Sequence, residues 1–340
     1  MARETKYNKL TSPELLARTN PENLQLMEEF LAYLRSMRHS KGTIAGYRND
    51  LQILFVYVMQ NCQNKHFTKL TKRELIGFQN WLLNENENSP ARIRRIKSAI
   101  SSLGNYVEDI LDDEYEGYRS PIKKIKSPSI RAVRAKTVWE DNEIEDLLER
   151  LTEMRQYEKA CVVALAVYGG RRKAELTRFK VSYFDEKNVV YGSLYRTPEP
   201  IQTKGTGGGK MLVCYTLKNK FKPYLDAWMA EREALGIESE WLFPSVKDPS
   251  IPLPISTLNS WTKQFSEMTN KPFYFHSLRH KFVTELSRSG LPDGVITKII
   301  GWEDASMCQV YNDRDIDEEL GQYFDENGIK AQGPVDLSSL

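Results

Sequence analysis

Tyr157-Glu158-Lys159-Ala160-Cys161-Val162-Val163-Ala164-Leu165-Ala166-Val167-Tyr168 runs directly into Gly169-Gly170-Arg171-Arg172-Lys173-Ala174-Glu175-Leu176. The first stretch is almost wholly apolar, the pattern of a helix buried on every side. Two glycines then break it and permit close backbone approach. Beyond them Arg172 and Glu175 stand three apart, a spacing that puts them on one helix face, where an acid can hold a guanidinium fork in place. The second half of the chain is expected to pack around this helix.

On its N-terminal side, Trp139 to Met154 is amphipathic. On its C-terminal side, Val181 to Arg196 alternates, and Met211 to Tyr215 is β-prone after a glycine cluster, so a small sheet with a hairpin is expected. Helical patterns resume at Lys218 and are expected to continue to the end. The first third carries four helical stripes. One is entered through Asn20-Pro21-Glu22, one runs from Ser40 to Cys62, one follows the capping-box pair Thr71 and Glu74, and one opens at Ser89-Pro90. Connections are short, so these helices are expected to form a bundle.

Between the halves, Asp112 to Lys136 has no stripe. Gly117 to Lys136 holds Arg119, Lys123, Lys124, Lys126, Arg131, Arg134 and Lys136 with no acid, seven positive charges in 20 residues. The segment reads as a linker and a strap for a polyanion. From Asn312 to Glu326 seven acids face a lone Arg314, an acidic segment that must avoid such a polyanion. The expected division is a flexible segment 1–19, a helical domain 20–115, a basic linker 116–136, a second domain 137–329 and a tail 330–340. The class is mainly α with a small antiparallel β-sheet.

The 340 residues are 40% hydrophobic and 28% charged, with a net charge of +2, the profile of a two-domain globular protein. No apolar run is long enough to span a membrane, and no secretory leader is visible, so a cytoplasmic location is expected. Cys62, Cys161, Cys214 and Cys308 lie far apart with no CxxC pair, which argues against a disulfide framework and a zinc knuckle.

Two further clusters carry chemistry. In His276-Ser277-Leu278-Arg279-His280, His276 and Arg279 project together from a helix start. The guanidinium offers a planar fork to a phosphate, and the imidazole a further donor or proton carrier. His276 and His280 at i,i+4 raise a metal reading, but no acid completes H-E-x-x-H, so neither metal nor cofactor is expected. The last cluster is Ile299-Ile300-Gly301-Trp302-Glu303-Asp304-Ala305-Ser306, followed by Tyr311. The glycine-rich loop between Lys204 and Lys210 fails the P-loop pattern, since Lys204 stands where its first glycine belongs and Met211 replaces Ser/Thr.

In this order and spacing, Arg172, then His276 and Arg279, then Gly301-Trp302, then Tyr311 resemble the tyrosine recombinase (phage integrase) family. Ser40, Thr43, Tyr47, Asp50 and Leu51 resemble the first DNA-facing helix of that family's core-binding, SAM-like domain, so the likeness spans roughly residues 20 to 330. The resemblance implies a C-shaped two-domain clamp on double-stranded DNA. Its chemistry is attack of the Tyr311 hydroxyl on a scissile phosphate, giving a 3′-phosphotyrosyl link and strand exchange through a Holliday junction without metal or ATP.

By the same resemblance Arg172 and Arg279 clamp the phosphate. His276 adds a third contact with an acid/base part, and Trp302 stands where many members carry histidine. Glu175 orients Arg172, and His280 buttresses the fold. A hairpin lysine protonates the leaving oxygen; Lys204 fits the family's K-G pair, with Lys210 left open. Lys41, Thr43, Arg92, Arg95, Lys97, Lys123, Lys124, Lys126 and Arg131 are the candidate DNA contacts. Paired inverted recognition sites and a homo-tetramer joined by exchange of the C-terminal segment are implied, with accessory factors left open. A DNA-binding protein of this fold without catalysis and a type IB topoisomerase are the alternatives. The complete residue set counts against the first, and the Gly-Trp pair with its short tyrosine-proximal segment against the second.

Overall fold

A computed structural model describes residues 10–129, 137–204 and 210–303, and the backbone of two short strands at 324–325 and 328–329. Tyr311, Arg131, the Lys204 side chain and the tail 330–340 lie outside the described residues. The chain divides into two compact units at Ala135/Lys136.

The N-terminal unit is all helical: α1 (Pro13–Leu16), α2 (Pro21–Ser36), α3 (Lys41–Asn61), α4 (Lys72–Asn80) and α5 (Pro90–Asp109). The caps explain where helices start. Asn20 Oδ1 accepts the Glu22 N–H at 2.9 Å, and Ser40 Oγ accepts that of Thr43 at 3.1 Å. Thr71 and Glu74 form the reciprocal capping box, and Ser89 Oγ accepts the Arg92 N–H at 3.2 Å ahead of Pro90. Each such cap contributes about 1 kcal/mol. Leu31, Leu51, Leu54, Phe55, Ile96 and Leu103 form the centre of one core, each worth about 1.5–3 kcal/mol on burial.

Two expectations are corrected here. The segment before residue 20 is ordered from α1 onward: Ser12 caps that helix, and the Arg18 carbonyl accepts from Asn64 Nδ2 at 3.0 Å. The basic stretch is not a free linker over its first half. Pro121–Lys124 forms a helical turn, and Ile122 and Ile125 are buried in the N-terminal core. Isolated apolar residues spaced three apart are enough to anchor a short turn, though too few to form a stripe.

The C-terminal unit is built on α7 (Tyr157–Gly169), whose residues Ala160 to Val167 are buried. Against it pack α6 (Asp141–Glu153), α9 (Lys218–Ala234) and α11 (Phe275–Arg288). The short α8 (Lys173–Leu176), α10 (Ile255–Thr269) and α12 (Asp293–Ile300) complete its described helices. Strands β1 (Val189–Val190), β2 (Leu194–Arg196) and β5 (Tyr215–Leu217) make an antiparallel sheet in the order β1-β2-β5, with Tyr195 opposite Thr216. Strands β3 (Ile201–Lys204) and β4 (Lys210–Leu212) form a separate hairpin, with Ile201 opposite Leu212 and Lys204 opposite Lys210.

Val181–Phe184 is a helical turn, not a strand, because consecutive Tyr183 and Phe184 are both buried, which a two-residue period forbids. The chain is not helical throughout after Lys218. Residues 238–254 are irregular, bridged at Lys180↔Trp241 and Pro244↔Pro252, and prolines there stop helix propagation. Phe324, expected at a helix end, lies in β6 (Phe324–Asp325), paired with β7 (Gly328–Ile329). Over so few residues helical and strand periods are indistinguishable. Among the described residues no helix is long and apolar enough to cross a membrane.

Candidate active site

Gly170, which ends α7, has φ +62°, and a Cβ there would lie 2.2 Å from Phe282 Cδ1. Glycine alone suits this turn. The turn sets Arg172 as the cap of α8 rather than on its face. Glu175 Oε2 accepts the Arg172 backbone N–H at 3.0 Å, and Oε1 accepts from Arg172 Nη1 at 2.9 Å. The pair expected from the spacing therefore forms, by a capping geometry. Glu175 is fully buried, whereas the Arg172 side chain keeps about a third of its surface exposed.

The start of α11 is pinned by Ser277, whose Oγ accepts from Trp139 Nε1 at 2.7 Å and donates to the Tyr274 carbonyl at 2.6 Å. One helical turn then separates His276, exposed, from Arg279, which has no exposure. Arg279 Nη1 donates to the Gly170 carbonyl at 2.8 Å, and Nη2 to that of Ile300 at 2.9 Å. Nη1 also lies 3.9 Å from Glu175 Oε2, and the guanidinium carbon is 5.7 Å from the centre of the Trp302 ring.

Desolvation, then the positive charges of Arg279 and Arg172, hold the His276 imidazole below its ordinary pKa. The fields of both arginines thus reach His276, which accordingly favours its neutral form near pH 7. The half-buried His280 stands edge-to-face on His276 with ring centres 5.0 Å apart. Among the described residues no group of three or more metal-ligating side chains is assembled.

Gly301 ends α12 with φ +74°, where a Cβ would meet Leu212 Cδ2 at 2.5 Å. The Gly301 and Trp302 N–H groups both donate to the Thr297 carbonyl at 2.9 Å, turning Trp302 back toward Arg279. Glu303 reaches Lys210, with Oε1 3.5 Å from Nζ. Lys204 stands across the hairpin from Lys210. The described part of the site thus brings together Arg172, Glu175, His276, Arg279, His280 and Trp302. One residue went unnoticed in the sequence: Glu303 gave no signal apart from its place after Trp302. Arg171 is the alternative to Arg172 in the box, set aside because Arg172 stands three before Glu175, and it is fully buried and turned inward.

The candidate DNA contacts fall into two groups. Lys41, Thr43, Arg95, Lys123, Lys124 and Lys126 are exposed on the N-terminal unit, although Lys123 Nζ is 2.9 Å from Glu108. Arg92 and Lys97 are turned inward. Arg92 pairs with Asp50, which is nearly fully buried and also lies 3.4 Å from Arg95 Nε. Lys97 Nζ donates to the Ile125 carbonyl and lies 3.2 Å from Ser127 Oγ, so it ties the basic segment to α5.

Residues 138–318 match the phage integrase family, and residues 26–116 match the phage integrase N-terminal SAM-like domain. The SPbeta prophage-derived recombinase-like protein YomM of Bacillus subtilis (strain 168) is 27% identical over 318 residues, covering 89% of this chain and 91% of that protein. A tyrosine recombinase of Thermosipho africanus (strain TCF52B) is 25% identical over 301 residues, covering 85% and 93%. The crystal structure of the XerH site-specific recombinase bound to a palindromic difH substrate, a post-cleavage complex, superposes with a TM-score of 0.63 at 18% identity. That match covers 82% of this chain and 79% of the XerH chain. With its helical unit, its small antiparallel sheets and its ordered arginine, histidine and tryptophan boxes, the chain belongs to the phage integrase (tyrosine recombinase) family.

Proposed function

We propose that this chain cleaves and rejoins DNA strands through a 3′-phosphotyrosyl intermediate on Tyr311. The observation that carries the reading is the buried Glu175 carboxylate, which pairs with Arg172 and lies 3.9 Å from Arg279, within reach of whose charges stands His276. Attack on a phosphodiester builds charge on the non-bridging oxygens, and fixed cations stabilise that charge more than they stabilise the ground state. Arg172, about a third exposed and held by Glu175 through Nη1, is the outer clamp. Arg279 stands behind it, fully enclosed with both Nη groups on backbone carbonyls and its guanidinium carbon 5.7 Å from the centre of the Trp302 ring, so it acts through its charge rather than as the direct clamp the resemblance implies.

In the cleavage step the Tyr311 oxygen bonds to phosphorus and the P–O5′ bond breaks. The tyrosine proton passes to His276, whose depressed pKa keeps it free to accept one. The leaving 5′-oxygen takes a proton from the hairpin lysine, Lys204, with Lys210 as the second candidate. The phosphotyrosyl ester keeps the energy of the broken bond, so religation needs neither ATP nor metal.

The helical unit with Lys41, Thr43, Arg95, Lys124 and Lys126 and the catalytic unit both bind the duplex, their cations fixing register on the phosphates. A palindromic site, such as the one XerH carries, seats two protomers. Exchange between two such sites therefore takes four, joined through the C-terminal segment, and passes through a Holliday junction.

The test is covalent trapping on a pool of random-sequence duplexes nicked beside the variable region. Denaturation-resistant protein–DNA adducts with wild type, none with Tyr311→Phe, and a common sequence among the trapped duplexes are expected. Adducts that persist in Tyr311→Phe, or none with wild type, would sink the reading. Adducts with no common sequence, together with relaxation of any plasmid, would favour a topoisomerase.

A further inference from the structure

The arginine box carries two adjacent arginines, and only Arg172 enters the chemistry above. Arg171 has no solvent exposure, and each of its guanidinium nitrogens meets a protein acceptor. Nε donates to the Gly169 carbonyl, Nη2 to the Ile299 carbonyl at 3.1 Å, and Nη1 to Cys214 Sγ at 3.1 Å. Arg279 spans the neighbouring pair, Gly170 and Ile300. Two consecutive carbonyls of the arginine box are therefore tied to two consecutive carbonyls at the end of α12, with one buried guanidinium for each pair.

Arg171 alone adds a tie to the hairpin. Cys214 lies just past β4, and the Cys214 thiol faces the Leu212 carbonyl at 3.6 Å. Leu212 in turn fills the space that a side chain at Gly301 would need. The root of the hairpin thus rests on Arg171 from one side and on the Gly301-Trp302 turn from the other. A desolvated cation is costly, and an apolar side chain would fill such a place at less expense. What the guanidinium supplies is direction: three donors in a rigid fork that fix three chain segments relative to one another.

We propose that Arg171 is a positioning residue for strand cleavage, seating the β3–β4 hairpin against the arginine box and the Trp302 turn so that the hairpin lysine meets the leaving oxygen. This rests on the recombinase chemistry set out above. In that step the lysine proton goes to O5′ as the P–O5′ bond breaks. A bridging sulfur in place of O5′ leaves as a thiolate and needs no proton, so it separates misplacement of the acid from every other defect.

The experiment measures single-turnover adduct formation by wild type, Arg171→Leu and Cys214→Ala. Each is assayed on a nicked duplex of the trapped sequence, with either the ordinary phosphodiester or a 5′-bridging phosphorothiolate. DNA affinity and melting temperature are read in parallel. Arg171→Leu is expected to lose about 10- to 100-fold in rate on the oxygen substrate, the scale of an ångström-sized misplacement. On the sulfur substrate its loss is expected to stay within about threefold, because the acid is no longer required. DNA affinity should hold within about twofold, since Arg171 is buried.

Cys214→Ala keeps both carbonyl ties and is expected to show a smaller oxygen-specific loss. Should Arg171→Leu fail to fold, Cys214→Ala decides by the same comparison. Undiminished rates, or an equal loss on both substrates, would overturn the role. Wild type that forms no adduct on either duplex would overturn the cleavage chemistry itself, a distinct failure from wild-type adduct with a sulfur-independent defect in the variants.

Discussion

Glu175 and Arg279 have no solvent exposure, and their carboxylate and guanidinium lie 3.9 Å apart, while the same carboxylate holds Arg172 at 2.9 Å. One buried anion thus serves two cations, one wholly enclosed and one facing outward. Glu175→Ala would leave Arg279 an uncompensated buried charge, and a loss of about 3–5 kcal/mol in unfolding free energy is expected. Glu175→Gln, which removes the same charge but keeps a carbonyl for Arg172, should cost about 1–2 kcal/mol less than Glu175→Ala. Urea denaturation of both variants checks the order; equal stability would remove Glu175 from this role.

Arg172 is partly exposed and Arg279 is enclosed, so their lysine variants should differ. Arg172→Lys is expected to remain as stable as wild type and to lose about 100- to 1000-fold in adduct formation, the scale for removing one oriented donor from a developing oxyanion. Arg279→Lys loses the tie between Gly170 and Ile300 as well, so its melting temperature should fall too. Single-turnover trapping and thermal melts separate the two.

The His276 pKa is lowered by desolvation and by Arg279 and Arg172. His276 should therefore protonate below the ordinary value of 6.5. As pH falls, cleavage should decline only below that value, where the imidazole can no longer accept a proton. Replacing Arg172 by glutamine removes one positive neighbour and should raise the His276 midpoint, as read by NMR titration of the chain's four histidines. A midpoint that does not move would place Arg172 too far away to act with His276.

Away from the site, burial and the neighbouring Glu231 push the Glu158 carboxyl up to about 7 from an ordinary 4.5. Between those values the folded chain holds a proton that the unfolded chain has released, so stability falls as pH rises through this window and stays lowered above it. Glu158→Gln is expected to gain about 1–3 kcal/mol over wild type at pH 8 and little at pH 4.5. Denaturation curves at the two values decide.

The N-terminal unit offers a contrast between exposed and engaged cations. Alanine at Lys124 or Lys126, and at Arg95 despite its 3.4 Å contact with Asp50, should reduce the slope of log affinity against log salt by up to about 0.9 each, since each cation is proposed to neutralise one phosphate. Lys97→Ala frees the Ile125 carbonyl from its partner, so it should lower the melting temperature and leave the slope unchanged. A slope indifferent to all three exposed residues would count against the strap.

Much of the helical scaffold was legible because caps and stripes are local. Asn20, Ser40, Thr71 and Ser89 each begin the helix their side chains announce. Less could be read where a few residues anchor through distant partners. Ile122 and Ile125 look like isolated apolar residues in a basic run until a core is present to receive them. Arg92 and Lys97 look like surface cations on a helix face until Asp50 and the Ile125 carbonyl are found opposite. In the site, the interval from Arg172 to Glu175 identified the pair correctly, although the geometry joining them is a helix cap.

Sequence alone determined which groups this protein possesses and in what order: the buried helix, the glycines that end helices, the arginine, histidine and tryptophan boxes, and the family those boxes mark. These follow from hydrophobic period, from backbone permissiveness and from side-chain chemistry, which belong to residues and their near neighbours. The spacing to Glu175 singled out Arg172 of the two adjacent arginines, but only the tertiary structure decided that Arg171 is wholly enclosed. Their chemistry is identical, and what separates them is chiefly the carbonyl of Ile299, 128 residues from Arg171, which reaches it only when α12 has packed on α11 and α11 on α7.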